Sequence, residues 1–131
     1  MSLGAGLKAF LAAAPQVAGG RIYPLRLPRN WRPVTGEVAV TFERAGGGRL
    51  HTFDGPTGND RPTMRLHVWG KGYSETEAAA KAVKDKLDGY RGLMGAVAVA
   101  ACRCTLEHNM IDPDTQAFHW VLDFFISYEE D

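Results

Sequence analysis

The sequence predicts an α+β domain, with a mostly antiparallel sheet of about five strands and two helices packed on one face. Apolar and polar residues alternate along five segments, as they do on strands that bury one side. Two further segments carry apolar residues three and four positions apart, which indicates helices. The turn-rich connections between the strands favour antiparallel neighbours, and the helices are then expected to cover one face of the sheet.

Composition bounds the possible classes of protein. The 131 residues predict a single domain, residues 1–131, with 45% hydrophobic residues to form its core. Fifteen basic and fifteen acidic residues give a net charge of zero, which argues against sequence-specific binding of nucleic acid. No apolar run approaches the ~20 residues that span a bilayer, so we expect no membrane segment. Cys102 and Cys104 would share one strand face as reduced thiols, which fits a protein that is made and used in a reducing cytoplasm.

The N-terminal part is predicted to be a helix followed by an extended arm. Ser2 can cap a helix that ends near Ala13, since Pro15 cannot continue its backbone ladder. Residues 15–34 then contain four prolines and two adjacent glycines, so they cannot form a central strand. We expect a proline-rich arm here, anchored to the body by the large apolar side chain of Trp31.

Three strands are predicted next, over residues 37–44, 49–53 and 63–69. Gly46-Gly47-Gly48 is expected to form a mobile turn between the first two, because three consecutive glycines lose much entropy when ordered. Residues 54–62 are expected to form a loop, since they contain two glycines and two prolines.

A helix over residues 74–89 follows, with Ser74 and Glu77 predicted as its capping box and Gly89 as its stop. Ala79, Val83 and Leu87 would form its buried stripe. The last two strands are predicted over residues 95–107 and 117–128, joined by a turn at 112–115.

No residue cluster predicts a catalytic centre, a cofactor site or a metal site. The glycines of the predicted turn lack the Gly-Lys-Ser or Gly-Lys-Thr that would hold a phosphate. Asp112 and Asp114 lack the repeated acidic ligands of a calcium loop. One alternative stays open: a small ligand-binding or enzymatic domain that uses His67, His119 and Asp123 on the polar face of the sheet. It requires these three groups to converge in a pocket.

The order of these motifs resembles the tail-completion family of long-tailed bacteriophages. The segments that are similar to family features are Gly19-Gly20-Arg21-Ile22-Tyr23-Pro24, Phe53-Asp54-Gly55-Pro56-Thr57-Gly58, Met64-Arg65-Leu66-His67-Val68-Trp69, the Ala-rich helix ending in Leu87-Asp88-Gly89, Asp112-Pro113-Asp114-Thr115, and Asp123-Phe124. The arm is richer in proline and arginine than the family pattern.

The resemblance implies a non-enzymatic virion protein of a phage, a prophage or a gene-transfer particle. It implies a homo-oligomeric ring, expected to be a hexamer, at the head-proximal end of the tail. The implied partners are other copies of the chain, the tail-tube protein and the head–tail connector or stopper protein. The expected contact residues are Trp31, Gly46, Gly47, Gly48, Arg49, Asp54, Gly55, Pro56, Thr57, Gly58 and Trp69.

Overall fold

The computed structural model describes residues 2–52 and 55–129, with the side chains of residues 2–46 and 62–128. Its elements in chain order are α1 (Leu3–Ala12), α2 (Pro15–Ala18), β1 (Ile22–Pro24), β2 (Ala39–Thr52), β3 (Gly55–Gly70), α3 (Tyr73–Leu87), β4 (Gly92–Met94), β5 (Val97–Ile111) and β6 (Phe118–Glu129). The fold is α+β, as predicted, but the described residues form six strands and three helices rather than five and two.

The six strands form one sheet in the order β1-β2-β3-β6-β5-β4. Only β1 and β2 are parallel, and the other neighbours are antiparallel. Helix α1 contacts both β1 and β4, the two outermost strands, so the sheet curls around the helices. β1 is the edge strand, which is where a proline-containing segment can pair.

One face of the curled sheet forms the core together with buried side chains of all three helices. Phe124 on β6 is completely buried, and its register partner on β3, Met64, is 5% exposed. The predicted helix stripes are confirmed, since Leu3, Leu7 and Leu11 of α1 and Ala79, Val83 and Leu87 of α3 are buried. The alternation predicted for β6 is confirmed as well: the side chains at even positions 120–128 belong to this cluster.

The helix starts were predicted with mixed success. Ser2 caps α1 as predicted, because its hydroxyl accepts a 3.1 Å hydrogen bond from the Ala5 amide. The Ser74–Glu77 capping box is wrong, since α3 begins two residues earlier than that box requires. Its N-cap is Gly72, whose amide donates to the Glu75 carboxylate at 3.0 Å.

The predicted turn at Gly46-Gly47-Gly48 and the predicted loop over residues 54–62 are wrong. β2 continues through the three glycines to Thr52, with a register shift between Arg44 and Gly46. β3 begins at Gly55, the register partner of Thr52, so the chain reverses between these two residues. Extended pairing with the partner strand satisfies the glycine backbone here, and the local irregularity is a bulge instead of a turn.

Among the described residues, no helix has the length and apolar character needed to cross a membrane.

Candidate assembly surfaces

The far end of the β2–β3 hairpin projects beyond the rest of the sheet. The pairing of β3 with β6 ends at Asn59 and Glu129, and β1 reaches only Phe42 of β2. The backbone of residues 50–52 and 55–58 therefore pairs only within the hairpin. We call residues 46–52 and 55–61 the ribbon.

The outer face of the sheet, opposite the core, carries a ladder of paired polar side chains. Arg65 on β3 donates two hydrogen bonds to Asp123 on β6, at 2.8 and 3.0 Å. The Asp123 hydrogen bond and charge raise the pKa of Arg65. Two parallel contacts of this kind fix both side chains in position, so Asp123 is held at 7% exposure with its charge compensated.

Two histidines continue the ladder. His67 Nε2 lies 2.6 Å from Glu43 Oε1, and His67 Nδ1 lies 2.7 Å from His119 Nε2. Burial, followed by the charge of His67, lowers the pKa of His119 to about 4. At neutral pH His119 is therefore uncharged, and its Nε2–H can donate to His67 while His67 donates to Glu43.

Trp69 covers the end of this ladder. Its ring stacks on His119 with centroids 3.8 Å apart and planes 9° from parallel. Its Nε1–H donates to the Thr41 hydroxyl at 3.1 Å. Trp69 was predicted as a partner contact, and the structure gives it these contacts within its own chain.

The alternative function, a small ligand-binding or enzymatic domain with a site on the polar face, finds only part of the geometry that it requires. His67 and His119 converge, but Asp123 is bonded to Arg65. Four cavities in the described part of the chain lie beside α2, between α3 and β5, in the arm and at the end of β5, and none is lined by these three residues. Among the described residues, no group of three or more His, Cys, Asp or Glu could hold a metal ion.

The proline-rich segment begins directly after β1 and forms a second exposed surface. Leu25 is 76% exposed and has φ +67°, a left-handed conformation that is costly for a leucine. Its amide donates to the Phe42 carbonyl at 2.9 Å, which fixes it against β2. Trp31 is half-buried and lines a hollow of about 270 Å³ together with Tyr23. Of the arm predicted over residues 15–34, the first part forms α2 and β1 instead. We call the remaining residues 25–34 the arm.

A third surface lies at the end of β5. Leu106, Met110 and Ile111 are 43%, 44% and 54% exposed. Beside them, Tyr73 and Trp120 help to line a largely apolar hollow of about 210 Å³. We call residues 106–114 the β5 end.

The charges of the chain are segregated between these last two surfaces. Residues 15–36 contain four arginines and no acidic residue, whereas no lysine or arginine follows Arg103. Among the described residues, no carboxylate pairs with the three arginines of the arm. This segregation was readable in the sequence, but the overall neutrality of the chain conceals it.

The predicted contact residues thus fall on three separate surfaces. Trp31 belongs to the arm and Trp69 to the outer sheet face. Gly46, Gly47, Gly48, Arg49, Gly55, Pro56, Thr57 and Gly58 all belong to the ribbon. Asp54 lies outside the described residues. The sequence interpretation missed the β5 end, whose exposed apolar residues were the available signal.

A small α+β domain whose polar face is paired internally, and whose ribbon, arm and apolar strand end are exposed, is typical of proteins that act through assembly. One protein family can be identified: residues 5–129 match the family described as Tail completion protein gp17. The chain therefore belongs to this family, and it is a structural protein of phage tails that resides in the virion.

The fold occurs in a solved assembly. A chain of the virion of a native gene transfer agent particle superimposes with a TM-score of 0.77 and 18% sequence identity, over 98% of this chain and 95% of that one. At this identity the likeness shows a shared fold. No curated protein sequence matches the chain significantly.

Proposed function

We propose that copies of this protein form a closed ring at the head-proximal end of the phage tail tube, where the ring terminates the tube and joins it to the head connector. Membership of the tail-completion family is the observation that carries this proposal. The ring size that we propose is a hexamer, and its role is structural rather than enzymatic. Its partners are other copies of the chain, the tail-tube protein and the connector or stopper protein.

The surfaces of the chain suit such a role. A ring needs a heterologous interface, in which one patch of a subunit meets a different patch of its neighbour. The arm follows β1 at one edge of the sheet, and the β5 end lies towards the other edge. The ribbon projects along the strand direction, away from both, so it remains available for the tube or the connector.

The fold of the gene-transfer-agent chain agrees with this proposal, since that chain belongs to a virion. The paired polar side chains on the outer face of the sheet also hold that face in a fixed arrangement. Its hydrogen bonds and stacked rings hold β2, β3 and β6 together on the side away from the core.

The proposal can be tested with the chain and the tail-tube protein of the same particle. Native mass spectrometry of the concentrated chain, and electron microscopy of the chain mixed with assembled tubes, would reveal rings. We expect six-fold rings that cap one end of each tube. Because ring closure can require the tube, a monomer in solution alone does not contradict the proposal. Uncapped tubes together with a monomeric chain would overturn it.

A further inference from the structure

We propose that the ring is closed by contact between the arm of one copy and the β5 end of the next copy. This inference rests on the proposed ring and names its interface. The occupant of the β5 end is a second copy of this chain, because a surface of complementary charge and apolar character lies on the same molecule towards the other edge of the sheet.

The positions of the two surfaces fit a cyclic arrangement. The sheet order places β1, which leads into the arm, at one edge and β5, flanked only at its start by β4, at the other. Two hydrogen bonds cover part of the free edge of β5. The Cys104 amide donates to the Asp88 carboxylate, and the Gly89 amide donates to the Cys102 carbonyl. These contacts leave the edge from Leu106 to Ile111 with β6 as its neighbour on one side only.

The two surfaces also lie at the same position along the strand direction, which we call their height. The Leu25 amide donates a hydrogen bond to the Phe42 carbonyl. The row of register partners that begins at Phe42 continues across the sheet through Leu66 and Leu122 to Glu107. The arm returns to the sheet just before Ala39, whose row of register partners ends at Met110. Rotation about an axis parallel to the strands preserves height, so it brings the arm opposite the β5 end of the next copy.

The chemistry of the two surfaces is complementary. The arm carries Arg26, Arg29 and Arg32, which have no carboxylate partner among the described residues. The β5 end carries Asp112 and Asp114, which have no lysine or arginine partner among the described residues, whereas the charge of its Glu107 is compensated by Lys84 of α3 at 2.9 Å. Since one surface is basic and the other acidic, copies attract head to tail, and like surfaces repel each other.

Apolar side chains accompany these charges on both sides. Leu25 and Val34 of the arm are 76% and 44% exposed, and the β5 end offers exposed Leu106, Met110 and Ile111 beside its hollow. The left-handed backbone of Leu25 holds an apolar side chain outward at a conformational cost. Two backbone hydrogen bonds, from the Leu25 amide to the Phe42 carbonyl and from the Arg26 amide to the Pro24 carbonyl, hold this conformation in place.

The test uses one variant of each surface. Leu25→Asp should abolish ring formation by disabling the arm, and Ile111→Asp should abolish it by disabling the β5 end. Each variant retains one intact surface, so an equimolar mixture should form a 1:1 heterodimer and no larger species. Leu93→Asp on β4 is the matched control, because Leu93 is 61% exposed and belongs to neither surface. It should form rings as the unmodified chain does.

Native mass spectrometry and capping of tubes are the readouts, and thermal midpoints verify that each variant is folded. If Ile111→Asp is unfolded, Met110→Asp replaces it. Rings that survive both substitutions, or that lose only their attachment to the connector, would overturn this interface and leave the proposed ring intact. A failure of the unmodified chain to form rings, both alone and on tubes, would overturn the ring itself. If the unmodified chain forms rings in solution, a mixture of the two variants that stays monomeric under the same conditions would overturn the head-to-tail contact.

Discussion

The two ends of the β2–β3 hairpin differ although one continuous ladder joins them. Near Val40 and Leu66 the hairpin has β1 on one side and β6 on the other, and these two side chains are completely buried. Beyond Asn59 the ribbon has no other strand beside it. The pairing keeps one register from Ala39 to Arg44, whereas the ribbon end contains two register shifts. We therefore expect the buried end of the hairpin to contribute more to stability than the ribbon.

This comparison separates folding from assembly within a single hairpin. A backbone hydrogen bond contributes only about 1 kcal/mol net, whereas a buried apolar side chain contributes about 2–3 kcal/mol. The base of the hairpin therefore belongs to the cooperative fold, and the ribbon can be changed at little cost. Four predictions test this division, from the largest expected loss of stability to the smallest.

The largest loss is expected for Phe124→Ala. Phe124 lies opposite Met64 at the base and is completely buried, so truncation leaves a cavity. We expect a loss of about 3–5 kcal/mol in the free energy of unfolding, measured by guanidinium denaturation. Trp120→Ala, opposite Val68, should cost a similar amount. A variant of Phe124 that unfolds at the same midpoint as the unmodified chain would show that the base is not the core.

The outer face of the base should make stability depend on pH. His119 has a pKa of about 4 in the fold and an ordinary value of 6.5, so between these values the unfolded chain binds more protons. Stability is then fully present above pH 6.5 and is lost as the pH falls towards 4. The loss is at most about 3.5 kcal/mol, at ~1.4 kcal/mol per pKa unit.

The charged and titratable neighbours of His119 are His67, His108 and Asp112. His119→Gln should reduce the slope of unfolding free energy against pH in this window, measured by denaturation at a series of pH values. An unchanged slope would assign the acid sensitivity to one of these neighbours or to other groups.

A smaller loss is expected where β3 meets α3. A Cβ added at Gly70 would lie 2.1 Å from the Thr76 hydroxyl oxygen, and Thr76 is completely buried and bonded to the Gly72 carbonyl. Gly70→Ala should therefore cost about 1–3 kcal/mol through overpacking. The matched control is Gly46→Ala in the ribbon, where no atom lies within 4 Å of the added Cβ. Equal melting temperatures for the two variants would contradict the comparison.

The smallest loss of stability is expected for a shortened ribbon. Replacing residues 50–59 with Asn-Gly would close the hairpin with a two-residue turn after Arg49, the register partner of Asp60. We expect a change within about 1 kcal/mol, because the removed segment lacks neighbours. Tail joining, scored by electron microscopy, should nevertheless be impaired. Normal joining by the shortened chain would exclude the ribbon as a contact element.

The sequence pattern predicted the elements whose side chains are buried along one face. The alternation along residues 117–128 and the stripe of α3 reflect burial on one face, and both are confirmed. The ribbon was not predicted, because glycine and proline are ordinarily turn residues and only pairing with a partner strand makes them extended. The short strands β1 and β4 escaped prediction for a similar reason, since three residues carry no readable period.

The candidate surfaces were predictable only in part. The sequence indicated the ribbon residues and Trp31 as contact residues. It could not show that Trp69 packs on His119, because the two residues are far apart in the chain. The β5 end depends on where β4 stops pairing, which is a tertiary fact. The segregation of charge, in contrast, needed no structure.

The position of α1 has a consequence for the order in which the chain folds during synthesis. This helix leaves the ribosome long before β4, yet it packs on β4: a Cβ added at Gly6 would lie 2.4 Å from the Met94 carbonyl. Its contacts with α2 and β1 can form early, but its packing on β4 must wait until most of the described chain has been made. Contacts between such distant segments slow folding. The nascent protein is thus most exposed to aggregation before β4 and β5 emerge, and a chaperone would be of greatest use during that interval.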